Sequence, residues 1–174
     1  LYFGTGNTQK LQEQSTNIKN RVYGIKDKNF PSFSVINNPG TISQCKTAPT
    51  CPGGSDLGWY VDLKNKQKLT AEPTVYKDRV YYPIYEPTSG TTGCNTGTAL
   101  LTAYDSKCGN SVLNVNVGKG VLSKVVVQKD NLYMGLAGEA KENIAGFTSK
   151  DNLITGKSKA KGGGSITVEG WKEN

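Results

Sequence analysis

Between Leu69 and Pro87 the chain reads LTAEPTVYKDRVYYPIYEP: β-branched and aromatic residues fill two arms, and Lys77-Asp78-Arg79 separates them. The pattern predicts two antiparallel strands and a tight turn, because such side chains suit a pleated, half-buried surface. The hairpin recurs 52 positions on as VLSKVVVQKDNLYMGLAGE, with Val75, Lys77, Asp78 and Tyr81 matched by Val127, Lys129, Asp130 and Tyr133. Leu1-Tyr2-Phe3-Gly4 repeats the second arm once more, against Leu132-Tyr133-Met134-Gly135.

More than the hairpin repeats. After each second arm comes a strand pattern ending in a polar turn: NRVYGIKDK (Asn20 to Lys28), TALLTAYDSK (Thr98 to Lys107) and NIAGFTSKD (Asn143 to Asp151). A fourth strand pattern follows each of these: GWYVDL (Gly58 to Leu63), SVLNVNV (Ser111 to Val117) and SITVEGW (Ser165 to Trp171). Four antiparallel strands every 40 to 50 residues or so is the sequence signature of a β-propeller blade. The expectation is therefore an all-β chain forming part of a β-propeller, set against an ordinary antiparallel sandwich. Residues 1–63 would be a partial blade carrying a long loop, 29–57; residues 69–117 and 121–171 would be two fuller ones.

The chain of 174 residues is long enough for a proper core. It is too short for a closed propeller, which takes at least about four blades. It opens inside LYFG with no initiator methionine, so the expectation is the C-terminal piece of a longer propeller. Its uncovered faces would be lined by residues such as Tyr2, Tyr23, Val126 and Tyr133. Trp59 is read as packing between blades, Gly118 to Gly120 as a link between the two fuller blades, and Glu139 to Asn143 as a short helical turn. No apolar run is long enough for a spanning helix.

Lys plus Arg number 21 against 14 Asp plus Glu, a formal charge of +7. The lysines are scattered through turns, apart from Lys157, Lys159 and Lys161 beside a glycine run. No recognition helix, RNP motif or zinc-finger spacing accompanies them, so nucleic acid is not an expected partner. Turn lysines that also protect sheet edges explain the charge. The glycine-rich PTSGTTGCNTG, Pro87 to Gly97, lacks the Lys-Ser/Thr that closes a phosphate cradle and reads as a connecting loop.

No histidine occurs, which removes the Ser-His-Asp triad, the Cys-His dyad and histidine metal ligation. Asp62, Asp78, Asp105 and Asp130 sit at strand ends, where Asp commonly hydrogen-bonds its own backbone. No catalytic residue or metal ligand is assigned. The four cysteines, Cys45, Cys51, Cys94 and Cys108, form no CxxC pair, and an even count in polar loops suggests disulfides made in an oxidising compartment. Cys45 with Cys51 is the natural short ring. That leaves Cys94 with Cys108, but they flank a strand that spans about 26 Å at about 3.3 Å per residue, whereas a disulfide needs Cα atoms within about 7 Å. That pair requires the glycine-rich loop to fold back along the strand. Four reduced thiols are the other reading.

Taken in order, LYFGTGN, RVYGIKD, GWYVDL, EPTVYKDRVYYPIYEPTSG with Cys94, and TALLTAYD resemble the C-terminal β-propeller of the PilY family, the adhesin and assembly proteins of the type IV pilus tip. The resemblance covers about Leu1 to Asp105, and ITVEGW is similar to the family's C-terminal end. Ala103-Tyr104-Asp105 departs from the family's usual Ala-Leu-Asp, and its calcium-binding Asp-rich loop has no counterpart here. The resemblance implies a non-enzymatic protein exported through the bacterial periplasm to the cell surface and pilus tip. There it would act in pilus assembly, adhesion and twitching motility. The implied partners are the upstream part of the same protein, minor pilins, and a host or abiotic surface. No cofactor is implied for these residues, with calcium left to the rest of the protein. The alternatives are a quinoprotein-type propeller enzyme, which shares the hairpin and the strand ending in Asp, and a scaffold propeller with no adhesive role.

Overall fold

The computed structural model describes residues 1–15, 17–26, 42–44, 57–88 and 96–160. Among these, every regular element is a strand: β1 (Tyr2–Gly4), β2 (Arg21–Ile25), β3 (Ile42–Gln44), β4 (Gly58–Asp62), β5 (Lys68–Leu69), β6 (Thr74–Tyr76), β7 (Arg79–Glu86), β8 (Thr98–Asp105), β9 (Ser111–Leu122), β10 (Val126–Gln128), β11 (Asn131–Ala140), β12 (Phe147–Lys150) and β13 (Leu153–Lys157). One sheet runs β1-β2-β4-β3, antiparallel except where β3 joins β4. The second runs β12-β13-β11-β9-β8-β7-β5, with β6 on the edge of β7 and β10 on the edge of β11. Neither sheet closes into a barrel. The expected strand Ser165 to Trp171 lies outside the described residues.

Three units share one register. In β1–β2, Tyr2 opposes Gly24; adding 79 to each number gives Tyr81 opposite Ala103 in β7–β8, and adding 52 again gives Tyr133 opposite Thr155 in β11–β13. The hairpins agree as well: Thr74 opposes Tyr81 in β6–β7, and Val126 opposes Tyr133 in β10–β11. Both turns are two residues long, Lys77-Asp78 and Lys129-Asp130. The second has both residues at positive φ, 47° and 66°, as a type I′ turn requires.

Alternation along the strands decides the packing. In the unit built on β7 and β8, both faces are buried. Val80, Tyr82, Ile84, Leu100 and Tyr104 join Val22 and Trp59 of the first sheet in one core cluster. Tyr81, Ala99, Leu101 and Ala103 join Leu132, Met134, Leu136 and Ile154 of the last unit in the other. The middle unit is therefore sandwiched between its neighbours in chain order. Trp59 packs between sheets as expected, 6.2 Å from the Tyr2 ring and 6.0 Å from Tyr104.

Three expectations are corrected. The strand beside β11 is Leu153–Lys157, and Phe147–Lys150 is pushed to the edge. Asp151 and Asn152 adopt φ of 50° and 62°, a two-residue hairpin turn that reverses the chain there. Gly118 to Gly120 is no linker: it lies within β9, which passes from β8 to β11 and joins the second and third units into one hydrogen-bonded sheet. A Cβ at Gly120 would lie 2.2 Å from the Ala137 carbonyl oxygen, so the close approach of β9 and β11 needs glycine. The expected helical turn at Glu139 is absent, because β11 continues to Ala140.

Candidate functional site

Among the described residues, no group of three histidine, cysteine, aspartate or glutamate side chains could hold a metal ion. What the fold builds instead is a junction between sheets, made twice. Tyr2 and Tyr81 occupy the same place in their units and point toward the next unit. The Tyr2 hydroxyl donates to the Ser106 carbonyl at 2.9 Å, and the Tyr81 hydroxyl meets the Ser158 hydroxyl at 2.7 Å. Ser158 lies 52 positions after Ser106. Both serines are fixed alike: Ser106 N donates to the Asp78 carbonyl at 2.8 Å, and Ser158 N to the Asp130 carbonyl at 2.7 Å. Burial raises the pKa of both phenols above the ordinary tyrosine value, so each is held neutral.

The residue after each tyrosine points the other way, toward the preceding unit. Tyr82 reaches the first sheet and donates to the Tyr23 carbonyl at 2.9 Å. Met134, its counterpart, is buried in the core shared with the middle unit. Every unit thus has a front face, carrying the tyrosine, and a back face. Along the junction of the second and third units, counterpart positions also touch. Thr70 Oγ1 donates to the Leu122 carbonyl at 3.1 Å, and Lys124 Nζ lies 2.7 Å from Glu72 Oε2. Lys77 Nζ and the Tyr76 hydroxyl both donate to Asp130 Oδ1 at 2.6 Å. Those bonds, Lys77's first, hold the Asp130 carboxyl below the usual carboxylate range.

Among the described residues, two faces are left over. The back of the first sheet carries Phe3, Tyr23 and Tyr60 in one cross-strand row, with Phe3 stacked on Tyr23 at 4.8 Å and Tyr60 6.1 Å beyond. The Arg21 guanidinium lies 4.5 Å over the Tyr60 ring and pairs with Asp62 at 2.6 Å. The front of the third unit carries Val126, 60% exposed, with half-buried Tyr133 and Thr155. A groove of about 510 Å³ opens beside them, lined by Asn131, Tyr133, Phe147, Thr148, Thr155 and Lys157 among others.

Of the four residues expected on uncovered faces, Tyr23, Val126 and Tyr133 lie on these two. Tyr2 does not: period-two alternation turns it inward onto Trp59. Of the four aspartates expected to hydrogen-bond their own backbone, Asp105 accepts from Lys107 N at 2.9 Å and Cys108 N at 2.8 Å. Asp62 pairs with Arg21 across strands, Asp130 pairs with Lys77 of the other hairpin turn, and Asp78 lies 3.7 Å from Arg79. Cys108 is buried in the turn after β8. Cys45, Cys51 and Cys94 lie outside the described residues, and so do both expected pairings.

Sequence reasoning missed one tie, Lys68. This lysine is 3% exposed, and its ammonium donates to the Leu11 carbonyl at 2.8 Å and the Glu13 carbonyl at 2.6 Å. It closes the loop after β1 onto β5, and its burial lowers its pKa. Comparison with family models, with curated proteins and with solved structures found no match.

Proposed function

We propose that the chain is a non-enzymatic surface module, part of a PilY-like β-propeller, acting in type IV pilus assembly and adhesion at the pilus tip. The observation that carries this reading is the middle unit, buried on both faces between neighbours of the same register. Stacking of that kind is what blades of a propeller require, and the ordered motifs of the sequence supply the family. The open aromatic face at Phe3, Tyr23 and Tyr60 suits a protein that works by contact rather than by turnover. Further units of the same protein, minor pilins and a host or abiotic surface are its proposed partners.

Disulfides between Cys45 and Cys51 and between Cys94 and Cys108 belong to the same proposal, since export through an oxidising compartment permits them. A thiol titration of the unfolded, unreduced chain should find none free; four free thiols would remove the pairing. The functional test is deletion of the coding sequence in a piliated bacterium that carries it. The reading expects fewer surface pili and weaker attachment, both restored by the intact gene. Normal piliation and attachment would refute it. The quinoprotein reading predicts instead a quinone-dependent dehydrogenase activity in the full-length protein.

A further inference from the structure

We propose that this chain associates with a second copy of itself head to tail, the front face of the third unit docking on the back face of the first sheet. The inference rests on the repeat reading but not on the pilus assignment. Both internal junctions join a front to a back. In each, a front tyrosine, Tyr2 or Tyr81, places its hydroxyl on the serine turn of the next unit. Tyr133 stands in the same register position, opposite Thr155 as Tyr81 stands opposite Ala103, and has no following unit among the described residues. Phe3 stands where Tyr82 and Met134 stand, 38% exposed, with Leu1 beside it at 78%.

Among the described residues, one chain therefore carries one open face of each kind. Two like faces would pair isologously about a two-fold axis; a front and a back pair heterologously. Copies of this chain are complementary in the second way, and association either closes a ring or extends. The contact continues an arrangement the chain already makes twice within itself. The apolar content fits as well, Val126 and Tyr133 on one side against Phe3, Tyr23 and Tyr60 on the other. The formal charge of +7 per chain opposes association, so added salt should strengthen it.

The test is sedimentation of the full chain across concentration, with two face variants. Val126→Glu spoils the front and Phe3→Glu the back; both positions are exposed, and melting checks that each variant folds. Should Phe3→Glu fail to fold, Tyr60→Glu replaces it. The wild type should grow with concentration in the micromolar range, and each variant alone should associate at least about tenfold more weakly. Mixing the two variants should restore one junction, between the intact front of Phe3→Glu and the intact back of Val126→Glu, giving a pair that grows no further. A wild type that stays monomeric to about 100 μM, well above the Kd of a specific interface, would overturn the proposal and leave the faces to a different chain. A mixture that stays monomeric while the wild type associates would overturn it too.

Discussion

Gly24 is in β2 directly across from Trp59, and a Cβ placed on it would lie 2.4 Å from Trp59 Cε2. Its backbone is ordinary for a strand, so alanine there meets no conformational penalty; the obstacle is the indole alone. Nor can the indole retreat, because Gly109 closes in on it as well, where a Cβ would stand 2.4 Å from Trp59 Cδ2. Gly24→Ala should therefore cost about 1–3 kcal/mol, the usual range for overpacking a filled core. Trp59→Ala should cost about 3–5 kcal/mol by emptying the junction between the first sheet and the middle unit. In the double variant the methyl has room, and replacing a strand glycine by alanine becomes mildly favourable, by about 0.4–1 kcal/mol. The two changes should couple by at least about 1 kcal/mol. Urea titration of the four proteins, read by circular dichroism, gives the cycle. Strictly additive costs would refute the reasoning, because they would mean that Trp59 does not fill the space over Gly24.

Tyr81→Phe removes the hydroxyl that meets Ser158 and should cost about 0.5–1.5 kcal/mol by urea titration, with Tyr2→Phe behaving alike. Lys68→Met strands the Leu11 and Glu13 carbonyls; a loss of about 1–3 kcal/mol, with faster amide exchange in the loop after β1, is the expected result. The pH dependence follows from Tyr2, Tyr81 and Tyr82, whose pKa values burial raises above the ordinary 10.0. Their contribution is complete below that value. As pH climbs beyond it the unfolded chain loses those protons first, so stability falls, and ionisation of these three rings should accompany unfolding. Ionisation of Tyr2, Tyr81 or Tyr82 themselves in the folded chain near pH 10, the ordinary tyrosine value, followed ring by ring by NMR, would contradict the burial of these rings.

The repeat was readable where local chemistry is strong. The β-branched and aromatic arms around Lys77-Asp78 and Lys129-Asp130 predicted both hairpins, and their spacing of 52 survives in the strand register. Reading failed where a residue type means two things. Gly118 and Gly120 look like a linker, yet the absence of a Cβ is what lets β9 lie against β11. Phe147 to Lys150 and Leu153 to Lys157 are both short and mixed, and only burial of Ile154 decides which pairs with β11. The signal that would have separated them was Asp151-Asn152, two residues that accept left-handed backbone. Tyr2 was misplaced because a three-residue strand carries too little alternation to show its inner face; its match to Tyr81 gives the direction once the register is known. The Lys68 tie joins positions 57 and 55 apart in sequence, which no local pattern reports.

The chain contains a single methionine, Met134, and it sits in the core between the middle and last units. Labelling its methyl group with carbon-13 gives one assigned probe at the junction on which the three-unit account depends. Nuclear Overhauser contacts from that methyl should reach residues of the middle unit's front face, drawn from Tyr81, Ala99, Leu101 and Ala103. Contacts to Tyr82, Ile84 or Leu100, which face the first sheet, would contradict the account.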